Sequence, residues 1–376
     1  MHIADVTLFF APRSGGVKRY LTAKHHHLNL VPGMRHSLLV PGPHDAENVP
    51  GIFELKSPRL AGGYRVPLRP WRWSSTLRGL APDVIEAGDP YHLAWAAIGA
   101  ADDLGVPAVA FAHSDLARVL RCRFGRAVGA VTERYLRRLY SRFDLVMAPS
   151  RTIAAQLARI GVERVVVQNL GVDGDTFHPR RRDEDLRGKL GLAAGVRLLV
   201  FAGRMAREKQ IPLLVEALAR LGSGYHLLLV GGAARAALSA NVTVLPYEQD
   251  GARLARLLAS ADALVHAGVH ETFGLIVIEA MACGRPIVGM HSGAMTELID
   301  DGVGVLAGRC DASALARAIA ALYERDWQQM GRNARARVEA RYAWSSVFAL
   351  QTERYQRLAR RQTMDDYIPA DAAGLP

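Results

Sequence analysis

Two glutamates, Glu271 and Glu279, stand eight positions apart around the start of an otherwise apolar run. Residues 275–283 read as a short helix, apolar nearly all round and ended by Gly284 and Pro286. A helix apolar on every side is a buried one, so the single charge at Glu279 needs a hydrogen-bonding partner, from the protein or from a ligand. With about 1.5 Å of rise per residue, Glu279 lies roughly 6 Å along the axis from Leu275. The two carboxylates therefore flank one helix N-terminus, whose free N–H groups attract anions and polar oxygens. Gly274 lets a ligand approach that backbone closely. Arg204 and Lys209, five positions apart, follow a strand-like run. Two cations there can clamp a diphosphate, the arginine in bidentate fashion, or simply lie on a solvated loop. Gly231-Gly232 closes another strand-like run and leaves room beside the backbone. His113 ends a third, where an imidazole can donate a hydrogen bond, shuttle a proton or serve only the core. His25-His26-His27 makes a poor metal site, because consecutive helical residues point in different directions.

These side chains need strands and helices to hold them. Residues 2–10 read as an apolar strand running into Ser14-Gly15-Gly16-Val17 and then a helix. Strand, glycine turn and helix is how α/β proteins bring backbone amides near phosphate or sugar oxygens. No G-x-G-x-x-G accompanies it, which argues against a nicotinamide or flavin site. Further strands are expected at 37–40, 84–86, 107–112, 145–148 and 165–168, with helices between them. Ser150 suits the N-cap of a helix running to Ile160. Residues 49–80, with Arg65, Arg69, Trp71, Arg72, Trp73 and Arg78, resist assignment and read as an excursion from the sheet. Turn chemistry and a charged segment interrupt the pattern over 169–197. It restarts with strands at 197–202, 225–230, 242–245, 263–266 and 286–290 and helices at 211–221 and 252–260, while 311–361 reads as helical. The expectation is an α/β chain of two parallel-sheet domains, 1–178 and 179–345, then a last helix at 346–361 and a poorly ordered tail at 362–376. Ligands in such sheets bind beyond the carboxyl ends of the strands, so a cleft between the domains is the expected site.

The chain has 376 residues, too many for one ordinary core. No apolar run approaches the roughly 18 residues of a membrane-spanning helix, and the N-terminus reads as a strand rather than a signal peptide. Cys122, Cys283 and Cys310 form neither a disulfide framework nor metal-ligand spacing, which fits a reducing cytoplasm. The net charge of +11 is uneven: +8 over residues 1–180 and +3 over 181–376. Residues 116–143 carry eight arginines interleaved with Leu120, Phe124, Tyr135, Leu136, Leu139 and Tyr140. Such a basic amphipathic stretch, Arg118 to Arg142, suits an anionic membrane surface or an exposed helix face. No nucleic-acid recognition signature accompanies it.

Together these residues resemble the retaining glycosyltransferases of family 4, whose GT-B fold sets two Rossmann-like domains across a cleft. The most specific match is Glu271…Glu279 with Phe273-Gly274-Leu275, Ala280-Met281-Ala282 and Gly284-Arg285-Pro286, similar to that family's paired-glutamate motif. Asn169-Leu170-Gly171-Val172-Asp173…Phe177-His178-Pro179 resembles its inter-domain entry, and Gly203-Arg204-Met205…Glu208-Lys209 its phosphate-binding loop. The resemblance implies that Glu271 and Thr272 lie at the donor sugar, with the amides of Phe273, Gly274 and Leu275 holding sugar or phosphate. Glu279 would bind the ribose. Gly203 would shape the loop from which Arg204 and Lys209 neutralise the diphosphate, with no metal or other cofactor. His113 would contact the sugar or support the leaving phosphate, Gly15 and Gly16 would shape the donor–acceptor junction, and the last helix would cross back onto the first domain. Two departures are visible: Gln210 stands where the family often has glycine, and His266-Ala267-Gly268-Val269-His270 replaces a Pro-Ser-containing approach to Glu271.

The function this implies is transfer of a hexose, by wording closest to members using GDP-mannose, onto a lipid-linked or envelope polysaccharide acceptor. It would take place in the cytoplasm, at the inner face of the cytoplasmic membrane. A UDP-sugar-dependent glucosyl- or N-acetylglucosaminyltransferase is the alternative within the class. A non-catalytic basic protein binding membrane or nucleic acid is the alternative outside it.

Overall fold

The computed structural model describes every residue except 12–14, 61–63, 233–238, 363, 365, 366 and 369–376. The chain divides into two units, Met1–Asn169 with Ser345–Pro376, and Leu170–Trp344. The first opens with β1 (His2–Val6), α1 (Gly16–Leu30), β2 (Arg35–Gly42), β3 (Ala46–Val49) and β4 (Ile52–Lys56). Then come α2 (Pro70–Leu80), β5 (Val84–Ala87), α3 (His92–Leu104), β6 (Ala108–Phe111), α4 (Leu116–Phe124) and α5 (Arg126–Tyr140). β7 (Leu145–Ala148), α6 (Arg151–Arg159) and β8 (Val165–Val167) complete the run. The sheet order is β3-β4-β2-β1-β5-β6-β7-β8, parallel except for the edge pair β3–β4. β1, β5, β6 and β7 are buried along their whole length, which is why they read as continuous apolar runs. Trp73 and Leu77 of α2, Leu136 and Leu139 of α5 and Ile153 and Leu157 of α6 form one core with α3. The Ser150 hydroxyl caps α6 by accepting the Ile153 N–H.

In the second unit α7 (Leu186–Lys189) precedes β9 (Arg197–Ala202), α8 (Ile211–Leu221), β10 (Tyr225–Val230) and β11 (Val242–Leu245). α9 (Gly251–Ser260), β12 (Ala263–His266), α10 (Leu275–Ala282), β13 (Ile287–Met290), α11 (Met295–Leu298) and β14 (Gly304–Ala307) follow. α12 (Ala312–Tyr323) and α13 (Trp327–Arg341) end it, before α14 (Trp344–Ala359). Its sheet is fully parallel in the order β11-β10-β9-β12-β13-β14. α8 and α12 pack together over a core that includes Leu214, Leu218, Leu315 and Ile319, and α10 packs against α9 and α13.

The structure departs from the sequence reading in five places. β1 stops at Val6 rather than Phe10, because the Leu8 N–H turns out of the ladder to the Asp89 carboxylate at 2.5 Å. The unassigned stretch holds β4 and α2, and the four-residue β14 was not anticipated. Residues 170–178 belong to the second unit, not the first. There Leu170, Val172 and Phe177 are buried, and the Arg335 guanidinium donates to the carbonyls of Gly174, Phe177 and Ala282 at 3.1, 2.9 and 2.8 Å. Of the tail expected to be loose, Met364 is buried and the Ile368 N–H donates to the Val165 carbonyl at 2.8 Å; most of the rest lies outside the described residues.

From Ser345 onward α14 belongs to the first unit. It docks through polar groups as well as apolar ones. Lys24 of α1, fully buried, donates to Asp5 of β1 at 2.7 Å and Glu86 of β5 at 2.8 Å. Tyr355 of α14 donates its phenol to the second oxygen of Glu86, and Gln351 donates to the Tyr355 oxygen at 2.7 Å. Gln351 in turn accepts from Tyr20 at 2.8 Å, whose ring lies 5.7 Å from Phe348. Removing charges from water is costly, and these contacts offset part of it: His36 Nε2 also lies 3.2 Å from Asp5 Oδ2, while Asp5 Oδ1 is buried without a hydrogen bond among the described residues.

Candidate active site

The carboxyl end of β9 leads into Gly203 and then a single 3-10 turn over Arg207–Lys209. Gly231, at the end of the neighbouring β10, has φ +125°, and a Cβ there would fall 1.9 Å from the Gly203 carbonyl oxygen. The two glycines thus let the loops after β9 and β10 touch backbone to backbone. Gln210 ends the 3-10 turn at φ 54° and ψ 41°, in the left-handed region that favours glycine. The turn aims Lys209 back across the sheet edge, where its ammonium contacts the Glu271 carboxylate, although 62 positions separate them. Arg204 is turned elsewhere: it lies exposed and pairs with Glu208 at 3.6 Å.

Glu271 sits in the connection from β12 to α10. His266, the last residue of β12 and 1 % exposed, faces it with Nε2 3.3 Å from Oε1. Burial alone would push the Glu271 carboxyl up, but His266 and Lys209 together outweigh it and hold the group well below the usual carboxylate range. It is an anion at any pH near neutrality. The Ala294 N–H donates to the Glu271 carbonyl at 3.3 Å, and the Ser292 hydroxyl to that of Val269 at 2.7 Å. Thr272 is half-buried, and Phe273 is buried edge-on to Tyr342 with ring centroids 5.9 Å apart. Gly274 is the N-cap of α10 at φ 94°, followed by Leu275 as the first helical residue. Glu279 is 3 % exposed in a helix buried from Val277 to Ala282, as its apolar surroundings require. The second unit therefore sets Gly203 and Lys209 after β9 and Glu271 to Leu275 after the adjacent β12, beyond the carboxyl ends of both strands, with Glu279 buried one turn into α10. Such a site can hold an anionic ligand by cation and amides while a fixed carboxylate accepts hydrogen bonds from hydroxyls.

Gly15, Gly16 and His113 belong to the first unit. Gly15 is the N-cap of α1 and Gly16 its first residue, beyond the carboxyl end of β1. His113 is buried, stacked on Phe111 with centroids 4.1 Å apart and set edge-on to Tyr20. Desolvation, reinforced by the charge of Lys24, lowers its pKa to about 3. A ring neutral at pH 7 suits a hydrogen-bonding role, not a proton shuttle. Among the described residues no group of three or more His, Cys, Asp or Glu side chains is arranged to hold a metal ion. Sequence reasoning gave no role to His266, although its position at a strand's carboxyl end was the same signal that singled out His113.

Comparisons with known proteins bear on the family and the fold. The family model described as Glycosyltransferase Family 4 matches residues 14–176, and that described as Glycosyl transferases group 1 matches 196–325. A GDP-mannose-dependent alpha-(1-6)-phosphatidylinositol dimannoside mannosyltransferase of Mycobacterium tuberculosis is 32% identical over 375 residues, covering 93% of this chain and 94% of that protein. A GDP-mannose-dependent alpha-mannosyltransferase of Mycolicibacterium smegmatis is 34% identical over 321 residues, covering 80% and 82%. Among solved structures, HepE of Anabaena in complex with UDP-glucose superposes with a TM-score of 0.76 at 21% identity, covering 95% of this chain and 100% of that one. Sucrose-phosphate synthase from Thermosynechococcus elongatus gives 0.75 at 22% identity, covering 96% and 100%. At such identities the structures speak to the fold alone.

Proposed function

The chain belongs to glycosyltransferase family 4, a hexosyltransferase with the GT-B fold, and on that premise we propose that it transfers mannose, with retention, from GDP-mannose to a lipid-linked acceptor. The donor is supported by the two relatives whose names state dependence on GDP-mannose. The observation that carries the site is the contact between Lys209 and Glu271 beside the N-terminus of α10. In this reading Lys209 and Arg204 neutralise the diphosphate as it departs, the α10 amides hold sugar or phosphate, Glu271 accepts from sugar hydroxyls and Glu279 from the ribose. Preorganised charge at the leaving group is then the main contribution to rate. Replacing Glu271 or Lys209 by Ala should each abolish mannose transfer from GDP-mannose without unfolding the chain. Full activity in both variants would refute the assignment, and transfer from UDP-glucose in its place would refute the donor.

The acceptor's lipid implies a membrane, and the surface suited to an anionic one is the elbow between α4 and α5. Eight arginines over residues 116–143 face a single acidic residue, Glu133. Val119, Phe124 and Val131 are exposed there, while Leu136, Leu139 and Tyr140 turn into the core. Apolar side chains flanked by arginines match an anionic headgroup layer over an acyl interior. Among the described residues no helix is long and apolar enough to cross a bilayer, so this reading is of a peripheral protein at the inner face of the cytoplasmic membrane. Co-sedimentation with phosphatidylglycerol but not phosphatidylcholine vesicles, weakened by salt and by a Phe124→Ser, Val131→Ser pair, is expected. Indifference to phosphatidylglycerol at low salt would leave the elbow as a solvated face.

A further inference from the structure

His266 lies where the chain departs from the wording usual before the first glutamate, and its surroundings restrict it to one task. The Gly268 N–H donates to His266 Nδ1 at 3.1 Å, so the ring proton of the neutral imidazole is on Nε2. That N–H is buried 3.3 Å from Glu271 Oε1 and makes no hydrogen bond to it or to any other described residue in this arrangement, so it is a donor held in reserve beside the carboxylate. The ring is packed with its centroid 5.8 Å from that of Phe201, and a Cβ on residue 268 would fall 2.5 Å from its Cε1, so it fills the space glycine leaves. Lys209 contacts the same carboxylate oxygen, but from the end of a flexible stem on a one-turn segment. The two groups beside Glu271 therefore differ in kind: the imidazole is locked by the core with its N–H unused, while the ammonium that now holds the carboxylate sits on a flexible stem.

We propose that His266 is a positioning residue that holds the Glu271 carboxylate toward the donor sugar while Lys209 passes from Glu271 to the donor diphosphate. This rests on the reading of Glu271 as the sugar contact and of Lys209 as a diphosphate contact. With the ammonium drawn away, the buried carboxylate closes the 3.3 Å onto the unused Nε2–H, so its orientation is fixed at the moment when it must meet hydroxyls. The imidazole proton stays on Nε2 throughout.

The test separates sugar from diphosphate. Calorimetry would measure the affinities for GDP and GDP-mannose, or for UDP and UDP-glucose if the wild type uses that pair, beside kcat for transfer. His266→Phe removes the donor at similar size, and His266→Asn keeps an acceptor for Gly268 but cannot reach Glu271. His266→Gln carries an amide N–H to about the place of Nε2. Phe and Asn are expected to leave diphosphate affinity within about 2-fold while weakening the nucleotide sugar and lowering kcat by roughly 10- to 100-fold, the scale of a hydrogen bond to a charged group. Gln should recover most of both. Equal loss for diphosphate and nucleotide sugar would overturn the proposal in favour of simple packing, and Gln behaving like Asn would do the same. If Phe fails to fold, the Asn and Gln pair decides alone. Glu271→Gln is the reference: if it leaves the nucleotide-sugar preference unchanged, the sugar-contact reading fails, whereas a lost preference in Glu271→Gln with none lost in the His266 variants overturns the role of His266 only.

Discussion

Lys24→Met tests whether the buried charges of the first unit hold α14 in place. Methionine keeps the length and bulk of the lysine stem but leaves Asp5 and Glu86 facing one another without the ammonium that now lies 2.7 and 2.8 Å from them. Removing one partner of a buried ion pair costs about 3–5 kcal/mol. In a unit of this size that corresponds to a fall of roughly 6–20 °C in its melting temperature. The loss should depend on pH. Burial and the neighbouring Asp5 already push the Glu86 carboxyl up to about 7, against the attraction of Lys24. A carboxyl whose folded pKa lies above its unfolded one binds more protons folded, so it favours the folded state at low pH and ceases to do so as pH rises through the folded value. Without Lys24 the cluster of Asp5, Glu86 and His36, whose Nε2 lies 3.2 Å from Asp5 Oδ2, should hold more protons in the folded variant than in wild type, and the deficit should grow with pH by up to about 1.4 kcal/mol per unit. Thermal melts of wild type and variant between pH 5 and 8, followed by near-ultraviolet circular dichroism, measure both quantities. A deficit below about 1 kcal/mol, or one flat in pH, would mean that the network contributes little beyond packing.

Three further outcomes follow from the same contacts. Tyr355→Phe deletes the phenol shared by Glu86 and Gln351 and should cost about 1–3 kcal/mol in urea unfolding, with the donor site unaffected. Gly231→Ala drives a methyl into the Gly203 carbonyl and demands a left-handed alanine, so about 2–4 kcal/mol and much of the nucleotide-sugar affinity should be lost; a wild-type melt with wild-type calorimetry would show the loops to be slack. Glu271 is held below its usual 4.5, so its stabilising contribution is present above that value and lost only as pH falls through the lower folded value. Lys209→Met should raise that folded value and move the acidic limb of stability upward, and an unmoved limb would deny the coupling.

Local pattern determined much of this protein, because each signal was complete within a few residues. The buried strands, the Ser150 cap and the all-apolar α10 with Glu279 at its centre were legible from spacing, since a strand buried on both faces and a helix buried all round leave no freedom in residue type. The glutamate pair and its cations were also visible as chemistry. What tertiary structure alone decided was which of them meet. Lys209 reaches Glu271 while Arg204 turns to Glu208, because the left-handed Gln210 ends a 3-10 turn whose direction no periodicity reports. His266 acquired its task from a Gly268 amide that settles its tautomer, and β4 and the edge strand β14 were too short and too mixed to announce themselves. Lys24 is one of three Lys or Arg residues on α1, and nothing in the spacing of that helix marks it out. It lies at the centre of the first unit because Asp5, Glu86 and Tyr355, from three distant segments, converge on it, and a contact between distant segments leaves no mark on the spacing within any one of them.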